Sequence, residues 1–124
     1  MEDKLIEILE AFGVPVFLQG SLADDEPYPD SFFTFWNNDS ESSSFYDNDE
    51  HSIIYDYDVN FYSTDPKAVY DTLRQAKKAL KQAGFIVSGD GYSLGSDEPT
   101  HDGRGINAKY FISIHSSFAE MTIL

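Results

Sequence analysis

The sequence predicts a single α+β domain spanning residues 1–124, in which a largely antiparallel sheet of about four to six strands carries two helices on one face. The length of 124 residues fits one domain. Two segments have apolar residues at helical spacing, whereas several others alternate apolar and polar residues. Most strand segments follow one another directly, which favours neighbouring antiparallel strands with helices on one side.

The first helix is predicted from Glu2 to Phe12. Its apolar residues recur at helical spacing and Gly13 follows where helices commonly end: Leu5, Ile8, Leu9 and Phe12. Val14 to Leu18 is predicted as a short strand, and Pro15 places it at a sheet edge or at a strand's beginning. Residues 20–30 are rich in aspartate and proline, which predicts a loop.

Two strands are predicted in the middle of the chain. Ser31 to Asn37 (SFFTFWN) has aromatic residues on both faces, so we expect it to be covered on both sides or exposed for a partner. Residues 38–51 are polar and acidic and lack hydrophobic periodicity, which predicts a long mobile loop or hairpin arm. Ile53 to Tyr62 alternates most clearly, with Asp56, Asp58 and Asn60 on its polar face.

The second helix is predicted after Asp65 and Pro66, a capping carboxylate followed by proline at the first helical position. Its apolar stripe comprises Val69, Leu73, Ala76, Leu80 and Ala83. A short strand over Phe85 to Ser88, a glycine-rich loop over 89–105 and a strand over Asn107 to His115 should follow. Met121 to Leu124 are expected to add a terminal strand.

The net charge of −14 is unevenly distributed. A surface this negative repels phosphate backbones and argues against direct nucleic-acid binding. Lys and Arg are absent from Leu5 to Pro66, whereas a candidate basic face on the second helix comprises Lys67, Arg74, Lys77, Lys78 and Lys81. This basic face is either the solvated side of an amphipathic helix, a phosphate-binding stripe or one half of a head-to-tail contact between identical copies.

The sequence gives no sign of membrane insertion or secretion. No apolar run approaches the ~20 residues that cross a bilayer, and the amino-terminal stretch is charged and amphipathic rather than a signal sequence. We therefore expect a soluble, unsecreted protein. Because the chain has no cysteine, disulfides and thiolate chemistry are excluded.

One motif imitates an enzyme. Gly91 to Gly95 (GYSLG) matches the G-x-S-x-G nucleophile elbow of α/β hydrolases. The residues after it, Ser96 to Pro99, cannot begin the helix that supports such a serine. We expect no catalytic residue and no cofactor.

Metal binding is not favoured either. Asp47, Asp49 and His51 imitate the first ligands of a calcium loop, but the glycine and the glutamate required later in that loop are missing. Asp56, Asp58 and Asn60 lie on a predicted strand, where alternate side chains do not wrap around an ion. The histidines at 51, 101 and 115 lack metal-site spacing and are expected to be ordinary surface or strand residues.

Five motifs occur in a fixed order along the chain: an aromatic strand entering Trp36-Asn37-Asn38, the aspartate-rich stretch Tyr46 to Glu50, the strand Tyr57 to Ser63, the helix exit Gly84-Phe85, and His101 to Ile106 (HDGRGI). In this order they resemble the tail completion proteins of phages of Gram-positive bacteria, which include tail terminators and head-to-tail joining proteins. The resemblance covers about two thirds to three quarters of the chain.

The resemblance implies a ring of six copies on the tail tube, with contacts to the tail tube protein and to head-tail connector proteins, and no catalytic site. It also implies that the long loops carry these contacts. The candidate interface or lumen residues are Asp39, Glu41, Phe45, Tyr46, Asp47, Asp49 and Glu50. The protein would be made in the host cytoplasm and end in the tail or neck of the virion.

An acidic channel surface suits such a ring because a basic lumen would retain the passing DNA. We therefore hypothesise that part of the stretch 24–50 faces the channel. The alternative is an acidic mimic of DNA that inhibits a nucleic-acid enzyme, with carboxylates such as those of Asp56 and Asp58 in place of phosphates.

Overall fold

The α+β prediction is confirmed by the computed structural model, which describes residues 1–21, 28–38, 41–42, 50–94 and 100–115. These residues form two helices and six strands. In chain order the elements are α1 (Glu2–Glu10), β1 (Val16–Leu18), β2 (Ser31–Asn37), β3 (Glu41–Ser42), β4 (Glu50–Ser63), α2 (Pro66–Gln82), β5 (Ile86–Leu94) and β6 (Asp102–His115).

All six strands belong to one sheet, with the order β1-β2-β4-β6-β5 and with β3 paired to β4. Only β1 and β2 run parallel to each other; the other pairs are antiparallel. The short strand β1 is at an edge, as Pro15 predicts. Strands β4 and β6 pair along their whole lengths, from Glu50 opposite His115 to Ser63 opposite Asp102, and form the centre of the sheet.

Both helices pack on the same face of this sheet. Leu5 and Leu9 of α1 are fully buried, and α2 buries Val69, Leu73, Ala76 and Leu80. The sheet contributes Phe33, Phe35, Tyr57, Val59, Phe61, Val87, Ile106 and Ala108 to the same cluster. Because side chains alternate along a strand, the residues between these lie on the opposite face, here called the open sheet face.

Helix α2 begins as its sequence predicts. The Asp65 side chain accepts a hydrogen bond from the backbone N–H of Lys67 (3.0 Å), and Pro66 occupies the first turn, where its missing N–H has no helical partner. The Ser63 hydroxyl accepts a hydrogen bond from the N–H of Asp65 (3.1 Å), which ties the helix start to the end of β4. At the other end, Gly84 has φ +102°, a left-handed conformation that ends the helix.

The predicted glycine-rich loop over 89–105 is largely wrong. Strand β5 continues to Leu94 and β6 already begins at Asp102. A bulge between Ser88 and Tyr92 absorbs Gly89 and Gly91, both with positive φ, so these glycines bend the strand without ending it.

Two glycines of β6 also fit within the sheet because aromatic rings occupy the space above them. A Cβ added at Gly103 would lie 2.5 Å from the Tyr62 ring, and one at Gly105 would lie 3.1 Å from the Tyr92 ring. Tyr62 and Gly103 are direct cross-strand partners, as are Tyr92 and Gly105. Each ring therefore replaces the packing that the glycine cannot supply.

Within the stretch 38–51, predicted as a loop or hairpin arm, the described residues 41–42 and 50–51 lie in strands. Glu41 and Ser42 form β3 opposite Ile54 and Ile53, and β4 already begins at Glu50. The ladder continues here because β4 is long enough to pair with β2 through one half and with β3 through the other. Residues 39–40 and 43–49, residues 95–99 of the predicted loop over 89–105, most of the predicted loop over 20–30, and the terminal strand predicted over Met121 to Leu124 lie outside the described residues.

Neither of the two described helices is long and apolar enough to cross a membrane.

Candidate functional site

A cavity of about 660 Å³ lies beside α2, and most of the predicted basic face lines it. Arg74, Lys77, Lys78 and Lys81 contribute cationic groups to its wall. Tyr70, Leu73 and Gln82 of α2 and Ile106 of β6 complete the lining. Lys67, at the first turn of the helix, does not line the cavity, so the structure brings together four of the five predicted basic residues.

The floor of this cationic cavity is apolar. Leu73 and Ile106 belong to the core cluster and are 3% and 1% exposed. Tyr70, in contrast, is 45% exposed. A ligand of this cavity would therefore meet positive charge around its rim and apolar surface beneath.

The rim is held in place by contacts with the bulge in β5. The Lys77 ammonium donates a hydrogen bond to the carbonyl of Gly89, and Arg104 Nη2 donates to the carbonyl of Gly91 at 3.1 Å. The Arg104 and Arg74 guanidinium carbons lie 4.9 and 5.2 Å from the centre of the Tyr70 ring, within cation–π range. Arg104 was not among the predicted basic residues, because its sequence neighbourhood is glycine-rich and gives no sign that it approaches α2.

A second candidate site lies at the centre of the open sheet face, where Asp56, Asp58 and Asn107 form a polar cluster. The Asn107 amide nitrogen donates to Asp56 Oδ1 (2.6 Å) and to Asp58 Oδ1 (3.2 Å). Asn38 Nδ2 also donates to Asp56 Oδ1 (3.3 Å), and Lys109 Nζ lies 4.0 Å from its other oxygen. Asp56 is thus satisfied within the subunit and is not a vacant ligand.

Four large apolar side chains surround this polar cluster. On the open sheet face, Trp36, Tyr92, Phe111 and Ile86 are each about half exposed, between 47% and 57%. Trp36 pairs with Asp58 across the strands, and Ile86 pairs with Lys109. Several large apolar side chains left half exposed on one sheet face are more typical of a contact surface than of a solvated face.

One end of the open sheet face is covered by a separate aromatic cluster. Phe32 is 2% exposed and stacks on Tyr62, with ring centroids 5.2 Å apart, while Tyr28 and His101 contact it edge-on. The prediction of aromatic residues on both faces of β2 is therefore confirmed: Phe33 and Phe35 lie in the main core, Phe32 lies in this cluster, and Trp36 is exposed.

His101 differs from its prediction as an ordinary surface or strand residue. It is 8% exposed, its Nε2 donates to the carbonyl of Pro29 (2.8 Å), and its Nδ1 lies 3.1 Å from the Thr100 hydroxyl. Both ring nitrogens therefore have partners within the subunit. The HDGRGI segment contributes a structural contact here, because His101 connects the chain before β2 to the beginning of β6.

The predicted acidic interface residues are only partly placed. Glu41 lies in β3 and Glu50 is the first residue of β4. Asp39, Phe45, Tyr46, Asp47 and Asp49 lie outside the described residues.

The described residues give no support to the two motifs that resemble functional sites, the nucleophile elbow and the calcium loop. Ser93 lies within β5 opposite Arg104 and not at a strand-to-helix turn, so the nucleophile elbow is not formed around it. No group of three or more His, Asp or Glu side chains in the described part of the chain is arranged to hold a metal ion. Asp56 and Asp58 instead share the Asn107 amide.

Two tyrosines have perturbed acidity. Burial, and to a lesser extent the charge of Glu2, raises the pKa of Tyr57 above its ordinary value of 10.0. Burial and then the charge of Asp58 raise the pKa of Tyr92. Both phenols therefore stay neutral at physiological pH and offer no unusual reactivity.

No protein-family model matches the chain, and no curated protein matches its sequence significantly.

Proposed function

We propose that this chain is a structural subunit of the tail of a long-tailed phage or prophage of Gram-positive bacteria, which caps the tail tube or joins the tail to the head. It would act as a ring of identical copies, six by the resemblance to tail completion proteins. Its partners would be the tail tube protein and the head-tail connector proteins. It would act in the host cytoplasm during assembly and then in the virion tail or neck.

The observation that carries this proposal is the separation of charge on one small domain. The chain has only eight Lys and Arg residues against 22 Asp and Glu. Four of the eight, Arg74, Lys77, Lys78 and Lys81, line one cavity. A concentrated basic site on an otherwise acidic protein favours contact between unlike surfaces of neighbouring copies, and contacts of that type close into rings when the rotation permits.

The open sheet face supplies a second surface for assembly. Trp36, Tyr92, Phe111 and Ile86 are too exposed to serve the core of an isolated subunit. A contact with the tube or with a connector would remove them from water, and burial of apolar surface favours association.

The deciding experiment is electron microscopy of tails assembled in a host whose prophage lacks this gene. We expect tubes of uncontrolled length or tails without heads, and recovery of normal particles when the wild-type chain is supplied in trans. Particles that mature normally without the protein would refute the proposal. The hypothesis that part of the stretch 24–50 faces the channel has its own test. Several acidic residues of this stretch are replaced by lysine and DNA delivery by the assembled particles is measured. Unchanged delivery would argue against the hypothesis.

The alternative, an acidic DNA mimic, gains little support from the two carboxylates first considered for it. Asp56 and Asp58 both accept hydrogen bonds from Asn107, and Asp56 also has Lys109 beside it. These internal donors compete with a basic partner for the same carboxylate oxygens. Salt-sensitive binding of the monomer to a basic nucleic-acid enzyme would favour this alternative.

A further inference from the structure

We propose that the cationic cavity beside α2 is a socket for an acidic, aromatic peptide segment of a second copy of this chain, namely residues 45–50 (Phe-Tyr-Asp-Asn-Asp-Glu). This inference rests on the proposed function, because it names the contact by which copies in a ring would associate. It concerns the binding chemistry of the cavity, which neither the fold nor the resemblance specifies.

The charges of the cavity select an anionic ligand. Among the described residues, Arg74, Lys78 and Lys81 form no ion pair, and Lys77 hydrogen-bonds a backbone carbonyl. Mutual repulsion between cations gathered on successive turns of one helix is unfavourable, and an incoming carboxylate would relieve it. Arginine and lysine on a common rim bind carboxylates well because each donates charge-assisted hydrogen bonds.

The floor of the cavity selects against a simple inorganic anion. Leu73 and Ile106 present apolar surface, and Tyr70 adds an aromatic ring between two guanidinium groups. A phosphate ion would leave this apolar surface in contact with water, whereas an aromatic side chain would cover it. The volume of about 660 Å³ lies within the usual range of ligand pockets, which suits one or two aromatic side chains with flanking backbone.

Residues 45–50 have this combination. Residues 45–50 place two aromatic residues directly before three acids within six positions, and no Lys or Arg occurs anywhere between Leu5 and Pro66. The segment therefore complements the cavity in both charge and apolar character.

The register of the sheet separates the segment from the floor of the cavity in its own copy. Glu50 pairs with His115, which lies about 30 Å along β6 from Ile106 in the cavity floor, at roughly 3.3 Å per residue. Ser42 pairs with Ile53, whose own partner Ile112 lies about 20 Å from Ile106 by the same rise. From these two attachment points the backbone of Phe45 lies at most about 18 and 11 Å away, which is less than the distances to the floor of its own cavity.

The first test is binding of a labelled synthetic peptide of residues 43–50 to the purified full-length protein, measured by fluorescence polarisation at low salt. Reversal of two rim charges, Lys78→Glu with Lys81→Glu, should weaken binding about tenfold or more. Lys67→Glu with Asp71→Ala, outside the cavity lining, should change it less than about threefold. Thermal melts check that all variants remain folded.

Control peptides separate the two components of the proposed recognition. Replacing Phe45 and Tyr46 by serine keeps all acids, and replacing Asp47, Asp49 and Glu50 by their amides keeps both aromatic residues. Each change should weaken binding at least about fivefold, since the cavity presents both charge and apolar surface. Equal binding of the serine peptide, or competition by inorganic phosphate at the same concentration, would overturn the proposal in favour of an anion site.

A charge swap tests the contact between whole chains. A variant that carries Lys78→Glu and Lys81→Glu should associate less than wild type in sedimentation experiments, and adding Asp47→Lys and Asp49→Lys to the same chain should restore association. Rings that form unchanged in the first variant would refute the socket but leave the tail function standing. Peptide binding as expected, together with normal particles made without the protein, would refute the tail function and leave the socket standing.

Discussion

Gly105 provides the sharpest test of how β6 is packed, because adding one methyl group there should destabilise the protein. A Cβ at this position would lie 2.4 Å from Asn60 Oδ1 and 3.1 Å from the Tyr92 ring. Asn60 is 5% exposed, so its amide has no room to move aside without disturbing β2 and β4. Such overpacking of a closed site costs about 1–3 kcal/mol.

An opposing effect acts on the unfolded chain. Alanine in place of glycine reduces its conformational freedom, which stabilises the fold by about 0.4–1 kcal/mol where the backbone conformation permits. The net expectation for Gly105→Ala is a loss of about 1–2 kcal/mol in the free energy of unfolding. With roughly 2.1 cal/mol/K of unfolding entropy per residue, this corresponds to a fall in Tm of about 4–8 °C.

The assay is urea and thermal unfolding of the purified protein, followed by circular dichroism. The matched variant is Asn60→Ala, which removes the group that the new methyl would meet. Asn60 Oδ1 has no hydrogen-bond partner among the described residues, but Asn60 Nδ2 donates to Gln19 Oε1 at 3.5 Å, so removal of the side chain alone should cost about 1 kcal/mol. In the double variant the methyl has space, and the coupling energy should be about 1 kcal/mol or more. A Gly105→Ala protein as stable as wild type, or strictly additive variants, would refute this account of the packing.

Three further predictions test the rest of the fold. Leu9→Ala should lower the free energy of unfolding by about 2–5 kcal/mol because Leu9 is fully buried beneath α1. Leu18→Ala, on the exposed edge strand, should cost under about 0.5 kcal/mol. Similar urea midpoints for the two variants would contradict the burial of α1. Asp65→Ala should lower the free energy of unfolding by about 1 kcal/mol because it removes the cap of α2, and Asp65→Asn should retain most of that stability. An alanine variant with the same Tm as wild type would show that the cap is dispensable. Burial raises the pKa of Tyr57 in the folded state, so the unfolded chain loses this proton at a lower pH. The contribution of Tyr57 to stability is therefore complete below pH 10 and should be lost as the pH rises through the folded pKa. Tyr57→Phe should show a shallower loss of unfolding free energy between pH 9 and 11 than wild type, and an identical slope would exclude this tyrosine as the cause.

Much of the fold was predictable because local signals agreed with the tertiary arrangement. Asp65 and Pro66 define the start of α2 through chemistry confined to one turn. The alternation of Tyr57, Val59 and Phe61 with polar residues likewise fixes which face of β4 is buried, and all three lie in the core. Such features depend on neighbours in sequence and not on the partner strand.

The extent of β5 and β6 was not predictable for the opposite reason. Gly103 and Gly105 resemble loop residues until their cross-strand partners Tyr62 and Tyr92 are known. The tyrosine of each pair lies on a different strand from the glycine, and neither strand's sequence alone specifies the register that brings the two together. The alternation of Tyr92 with Leu94 was the one available signal that β5 continues.

The cationic cavity was half predictable. Helical spacing placed the basic residues on α2, but spacing does not separate Lys67 from the four that line the cavity. That distinction depends on where α2 crosses β6 and brings Ile106 beneath its middle turns. Arg104 joins the group through the bend at Gly91, which is a property of the folded sheet.

The two margins of the sheet limit how the molecule can polymerise. At one margin β1 offers only three residues in parallel orientation next to a proline, and at the other β5 is interrupted by its bulge. Strands of this kind make poor templates for backbone pairing with another chain. Contacts between copies through these two margins would therefore depend on side-chain complementarity and not on extension of the sheet.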